Sequence, residues 1–111
     1  IDAMAGDAPG VIGPETVLRV DGGMVANDWM LQNLADILGQ PVDRPQTAET
    51  TALGAAYLGG LAVGLYPEPE RFAESWARER RFNPTIDAAH RSGRREGWRN
   101  ALQRILTQER P

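Results

Sequence analysis

Residues 17–27 read Val17-Leu18-Arg19-Val20-Asp21-Gly22-Gly23-Met24-Val25-Ala26-Asn27. A β-branched, apolar run meets an acid and two glycines, and an apolar segment follows. This pattern predicts a buried strand that stops at a Gly-Gly turn and runs straight into a helix. Such a junction exposes unpaired backbone N–H groups where the helix dipole favours negative charge. Glycine lets a ligand approach the backbone closely. The chemistry implied is binding of a nucleotide or another anion, with the Gly-Gly turn of Gly22 and Gly23 as the close surface. Asp21 admits two roles. A carboxylate at a strand end can hold a metal or act as a base, or it can brace the turn.

Other chemistries are excluded by composition. The chain has no lysine, so its twelve basic residues are all arginine. A Walker-type phosphate loop and Schiff-base catalysis both need a lysine, and neither can be built here. With no cysteine there is no disulfide framework, thiolate metal site or cysteine nucleophile. His90, the one histidine, has no metal-ligand spacing around it and is expected on the surface. Ser75 and Ser92 lack the His-Asp partners of a hydrolase triad. No metal site is expected within the chain.

The elements that must position the turn follow from periodicity. Residues 1–14 are expected as the end of a leading helix and a Gly/Pro loop. Thr16 to Val20 reads as a strand. Asn27 or Asp28 caps a helix to Leu38, which Gly39 ends, and Met30, Leu31, Leu34, Ile37 and Leu38 form its apolar stripe. Pro41-Val42-Asp43-Arg44-Pro45, bracketed by prolines, reads as an edge strand. A helix from about Thr51 to Leu65, capped by Thr50 or Thr51, carries no charge and is expected to be buried. A short helix from Glu70 to Ala77, an extended Arg78 to Pro84 anchored by Phe82, and a last helix from Arg94 to Thr107 complete the order. Trp29, Trp76 and Trp98 lie on apolar faces and are expected in the core.

At 111 residues, 41% hydrophobic and 24% charged, the chain has the composition of one globular domain or part of one. So little strand for so much apolar helix implies that a sheet contributed from elsewhere completes the fold. The start at Ile1, with no Met and no basic leader, fits a piece of a larger protein. The apolar run from Thr51 to Tyr66 is shorter than the roughly 20 residues a membrane helix needs, so no membrane role is expected. Charge is lopsided: residues 1–70 carry two arginines against ten acids, and residues 71–111 ten arginines against five acids. An interaction module using the basic half is one role open to this pattern, and a solvated helical face is the other.

The segment Leu18 to Asn27 resembles the adenosine-contacting motif of the FGGY carbohydrate kinases, most closely the glycerol kinases among them. The likeness continues through Ala35-Asp36-Ile37-Leu38-Gly39, Pro41-Val42-Asp43-Arg44-Pro45 and Glu49-Thr50-Thr51-Ala52-Leu53-Gly54-Ala55-Ala56-Tyr57-Leu58. It resumes at Gly60-Leu61-Ala62-Val63-Gly64, Arg81-Phe82-Asn83-Pro84 and Gly97-Trp98, so it covers about residues 16–106. The resemblance implies an α/β fold that is part of an actin-like (ribonuclease H-like) ATPase domain, mostly helical here with few strands. Residues 1–111 would be the C-terminal part of the second of two domains, on the nucleotide-binding side.

By the same resemblance, Gly22, Gly23, Met24 and Asn27 form the adenosine wall of an ATP site. Met24 stands where such kinases often carry Ala or Ser, so detail there is expected to differ. The implied activity is ATP- and Mg2+-dependent phosphorylation of glycerol to glycerol 3-phosphate, or of another polyol or sugar such as xylulose or gluconate. The catalytic base, the first phosphate loop, the glycerol contacts and most Mg2+ ligands would lie outside this chain, leaving it inactive alone. A cytoplasmic homo-oligomer that binds neither nucleic acid nor membrane completes the expectation.

Overall fold

The computed structural model describes residues 1–13 and 15–106. Pro14 and the expected end of the last helix at Thr107 lie outside the described residues. In chain order the elements are α1 (Asp2–Asp7), β1 (Leu18–Arg19), a 3-10 turn (Gly23–Ala26), α2 (Asp28–Leu38) and β2 (Val42–Pro45). Then come α3 (Thr50–Ala62), α4 (Pro69–Ala73), β3 (Arg78–Phe82) and α5 (Ala88–Leu106). The three strands form one sheet in the order β1-β2-β3.

β2 is therefore the middle strand, not the edge strand its prolines predict. It runs parallel to β1, pairing Leu18 with Val42 and Arg19 with Asp43. It runs antiparallel to β3, pairing Val42 with Phe82, Asp43 with Arg81 and Arg44 with Arg80. The prolines are tolerated for local reasons. Pro41 precedes the strand and offers only its carbonyl, which accepts from Leu18 N at 3.0 Å. Pro45 falls where the register slips against Arg78, at a bulge that asks no donor of it.

The core lies where α2 crosses one face of this sheet. Leu31 and Ala35 of α2, Val42 of β2, Phe82 of β3 and Val25 of the 3-10 turn are buried together. Met30, Leu34, Leu18 and Val20 pack around them. The sequence pattern identifies the stripe and also its ends. Asn27 caps α2 through its side-chain oxygen, which accepts from Met30 N at 3.0 Å. Gly39 closes the helix in the left-handed region at φ 72°. A Cβ at Gly39 would also lie 2.7 Å from the Arg91 guanidinium, which donates to the carbonyl of Asp36 at 2.8 Å.

Other expectations need correction. Trp29 and Trp98 are 74% and 66% exposed rather than in the core, and Trp76 is half-buried beneath Arg19. Trp29 sits in the first turn of α2. The helix α3 is largely exposed, with Leu58 65% exposed, because within the described residues its packing is confined to one end, where Tyr57 stacks on Phe72 of α4. Its cap is not a threonine. Glu49 stands at the N-cap without a side-chain bond, and Thr50 donates instead to Asp21. The helix α5 begins six residues earlier than predicted, because Asp87 accepts from His90 N at 2.8 Å and starts it. Its apolar residues Trp98, Leu102, Ile105 and Leu106 are exposed. The helix α4 is shorter than predicted, and β3 matches the extended segment anchored by Phe82.

Part of the basic half is tied inward. Arg81 grips Asp43 with two bonds of 2.6 and 2.7 Å, and Arg78 lies 3.7 Å from the same carboxylate. Arg94 donates to Asn33 at 2.6 Å. Asp36, also buried, accepts from the backbone N–H of Thr85 at 2.6 Å and from its hydroxyl at 3.0 Å. These contacts dock β3 and the loop after it onto α2 and β2. Among the described residues every buried side-chain polar atom has a partner.

The Arg81 hydrogen bonds hold the Asp43 carboxyl below the usual carboxylate range, and the Thr85 amide does the same for Asp36. Folded values below unfolded ones give stability that is fully present above the unfolded value and is lost as pH falls through the folded one. Thermal unfolding is therefore expected to hold steady down to about pH 4 and to fall below it. Asp43→Asn should lower the midpoint near neutrality and flatten the acid limb. An unchanged acid limb in this variant would refute the assignment.

Candidate functional site

The site is built at the end of β1. Val20 N donates to Asp43 O at 3.2 Å, the last rung holding the strand to β2. Asp21 follows and accepts from the Thr50 hydroxyl, so its carboxylate braces the turn against the first residue of α3. Of the two roles open to Asp21, the brace is the one the geometry displays. Gly22 adopts φ 88° and ψ 174°, a conformation essentially reserved to glycine. Its N–H donates to Ala48 O at 3.2 Å, and its carbonyl accepts from Val25 N at 3.1 Å. The first glycine therefore does not offer an open N–H. It reverses the chain and ties it to the loop before α3.

The open donors lie one residue on. Among the described residues the N–H groups of Gly23 and Met24 take no partner. A Cβ at Gly23 would meet nothing within 4 Å, so its surface is free to approach. The chain then makes a 3-10 turn rather than entering the helix directly, and only at Asn27 does it turn into α2. The Met24 side chain is 67% exposed. The side-chain oxygen of Asn27 is used in the cap, and its amide NH2 remains available.

A cavity of about 280 Å³ opens beside the turn, lined in part by Gly22, Gly23, Ala26, Arg44, Gln46 and Glu79. The structure thus brings both predicted glycines to one concave surface and leaves Met24 and Asn27 outside its lining. It also adds residues that sequence reasoning missed. Arg44 and Glu79 come from β2 and β3 and form an ion pair beside the turn. The signal available was an arginine beside an acid on a short strand bracketed by prolines. His90 is exposed and pairs with Asp87 at 3.1 Å. Among the described residues no cluster of three or more His, Cys, Asp or Glu is arranged to hold a metal ion, and no helix is long and apolar enough to cross a membrane.

A strand, a glycine turn with open amides and a helix beyond it thus form one concave, donor-bearing surface. Comparison with solved structures gives the fold. A Plasmodium falciparum glycerol kinase solved with ADP superposes with a TM-score of 0.75 at 29% identity, over 95% of this chain and 21% of that one. A ligand-bound xylulose kinase from Lactobacillus acidophilus superposes at 0.71 with 16% identity, over 97% and 22%. The fold is part of an actin-like ATPase domain, mostly helical here, with a small sheet.

The model of the FGGY family of carbohydrate kinases, C-terminal domain, matches residues 8–63. The chain belongs to that family. Its similar curated relatives include the glycerol kinase of Methylobacterium nodulans, 62% identical over 104 residues, which cover 94% of this chain and 21% of the relative. The glycerol kinase of Rhizobium rhizogenes is 56% identical over 107 residues, 96% of this chain and 22% of the relative. The chain thus spans about one fifth of the length of the relatives it matches.

The two glycines predict opposite mutational behaviour. Gly22→Ala forces a side chain into a glycine-only conformation with no compensating contact and should cost about 1–3 kcal/mol. Gly23→Ala meets open space without a positive φ and should cost well under about 1 kcal/mol. Denaturant unfolding of the two variants checks this, and equal losses would contradict the turn geometry.

Proposed function

We propose that the chain is the C-terminal part of the second domain of a glycerol kinase and forms the adenosine wall of its ATP site. The parent enzyme would transfer the γ-phosphoryl group of ATP to a terminal hydroxyl of glycerol, giving glycerol 3-phosphate. The observation that carries this is the exposed, glycine-lined turn at Gly22-Gly23 within a chain 62% identical to a curated glycerol kinase. The ADP with which the Plasmodium glycerol kinase was solved supports a nucleotide as the ligand.

Phosphoryl transfer depends on positioning and charge stabilisation. The residues present here would contribute to positioning. Gly23 allows close approach, the Gly23 and Met24 amides are donors for the nucleotide, and the Asn27 amide is a polar contact near the helix start. Mg2+ would neutralise phosphate charge when bound, but the carboxylates around the turn do not suit it: Asp21 is held by Thr50, and Asp28 and Glu79 by arginines. We therefore assign Mg2+ no ligand here and route no step through it. A cytoplasmic homo-oligomer belongs to the same proposal.

The test uses the full-length parent with glycerol and a panel of pentoses and polyols. Glycerol should be phosphorylated in preference to the panel. Gly23→Val and Asn27→Ser should each raise the KM for ATP by about tenfold, equivalent to about 1.4 kcal/mol, with little change in kcat. Serine keeps the helix cap and removes only the amide, so the Asn27 result is separated from cap loss. An unchanged ATP KM in both variants would sink the site assignment. Residues 1–111 alone should show no glycerol-dependent ATP turnover.

A further inference from the structure

Arg44 is the most heavily engaged side chain beside the turn. It lies on the same face of β2 as Val42, which packs under α2, and its side chain is 13% exposed. It makes four hydrogen bonds to three different elements. One Nη1 contact goes to the Val25 carbonyl at 2.8 Å, within the 3-10 turn, and another to the Asp28 carboxylate at 2.7 Å, at the start of α2. Nε and Nη2 both reach the carboxylate of Glu79 on β3, the latter at 3.2 Å. The guanidinium lies 5.4 Å from the ring centre of buried Phe82.

The two contacts at the turn flank the residues proposed to face the nucleotide. Val25 follows Gly23 and Met24, and Asp28 follows Asn27. A four-residue 3-10 turn has little hydrogen bonding of its own to hold it. The Val25 side chain enters the core while its carbonyl is fixed by Arg44, so the peptide has both ends restrained. Asp28 suits a helix N-terminus electrostatically, yet left unpaired its charge would repel an anionic ligand as a whole. Arg44 takes one of its oxygens and Arg80 the other. The cluster of Arg44, Arg80, Asp28 and Glu79 thereby carries no net charge.

We propose that Arg44 is the positioning residue of the nucleotide site: it locks the Gly23–Ala26 turn and the first turn of α2 onto the sheet and neutralises Asp28. The inference rests on the proposed nucleotide site and assigns it a residue without requiring Arg44 to touch the ligand. Lysine could meet one of these partners but not hold them together as the planar fork does.

The experiment compares Arg44→Met, Arg44→Lys and Arg81→Met in the full-length parent, with Gly23→Val alongside. Arg81 holds Asp43 on the opposite face and serves as a control for loss of a comparable ion pair. Arg44→Met should raise the ATP KM by about tenfold with kcat and glycerol KM little changed, and Arg44→Lys should fall between it and the parent. Arg81→Met should lower the unfolding midpoint without moving the ATP KM. In the absence of nucleotide, hydrogen exchange at the amides of Gly23 to Leu31 should be faster in Arg44→Met. Equal KM shifts in Arg44→Met and Arg81→Met, or unchanged exchange in Arg44→Met, would overturn the positioning role. An ATP KM unmoved by Arg44→Met while Gly23→Val raises it would overturn this inference alone. An ATP KM unmoved by either would overturn the nucleotide site as well.

Discussion

Asp43 and Arg44 are consecutive residues of β2, and the two-residue period of a strand sends their side chains to opposite faces of the sheet. On one face Asp43, almost wholly buried, is held by the two-pronged grip of Arg81. On the other, Arg44 reaches past the end of α2 to the turn and across to Glu79. A buried carboxylate left without its arginine would be costly, so β3 must stay in register with β2 for Asp43 to remain paired. With β3 in register, Glu79 lies beside Arg44 and Phe82 beneath α2. The pair of Asp43 and Arg81 thereby secures the sheet, and Arg44 on the opposite face seats the glycine turn and the start of α2 on it.

That dependence explains what is legible in the sequence. Local signals suffice where a short stretch of chain decides the outcome: the strand before Gly22, the Asn27 cap, the apolar stripe ending at Gly39, and Phe82 as an anchor. The place of β2 escapes such signals because prolines report a local limit on donors. The bulge at Pro45, which removes that limit, forms only when β3 pairs. The start of α5 is misplaced by pattern alone because Asp87 reads as loop, and its capping bond to His90 is a matter of geometry rather than periodicity. At the site, the glycines are visible as types suited to close approach. Their division of labour is not, because the acceptor for Gly22 N is Ala48, far along the chain. Arg44 escapes notice for the same reason: its partners are scattered over three elements.

The apolar faces left open follow a different logic. The helix α3 has no charge, and four glycines in or beside it weaken it relative to alanine. Gly60 is filled by Tyr66, whose ring would collide with any Cβ there, and Tyr66 belongs to a cluster with Tyr57 and Phe72. The other glycines of α3, Gly54 and Gly59, meet nothing within 4 Å. A composition suited to close packing around the whole helix is satisfied here at one end only. The chain spans about one fifth of its relatives, and the residues 8–63 matched by the family model include all of α3. The sequence of α3 therefore carries constraints that this length of chain does not itself express, whereas α2, seated on the sheet, expresses nearly all of its own.

The same division applies to the proposed chemistry. A group that accelerates a reaction must interact more strongly with the transition state than with the bound substrate. Among the described residues nothing around Gly22-Gly23 has that character: Asp21 is spent on Thr50, and Asp28 and Glu79 on arginines. What remains is backbone amides, a side-chain amide and a shape, which would hold the proposed nucleotide equally well before and during transfer. Such uniform binding lowers KM and leaves kcat to other groups. The rigidity proposed for Arg44 has value under that condition, because a wall that only binds depends on donors already held in place for the ligand. A displaced turn would have to be ordered again on binding, which weakens the proposed hold on the nucleotide and raises KM while leaving kcat to groups outside the described residues.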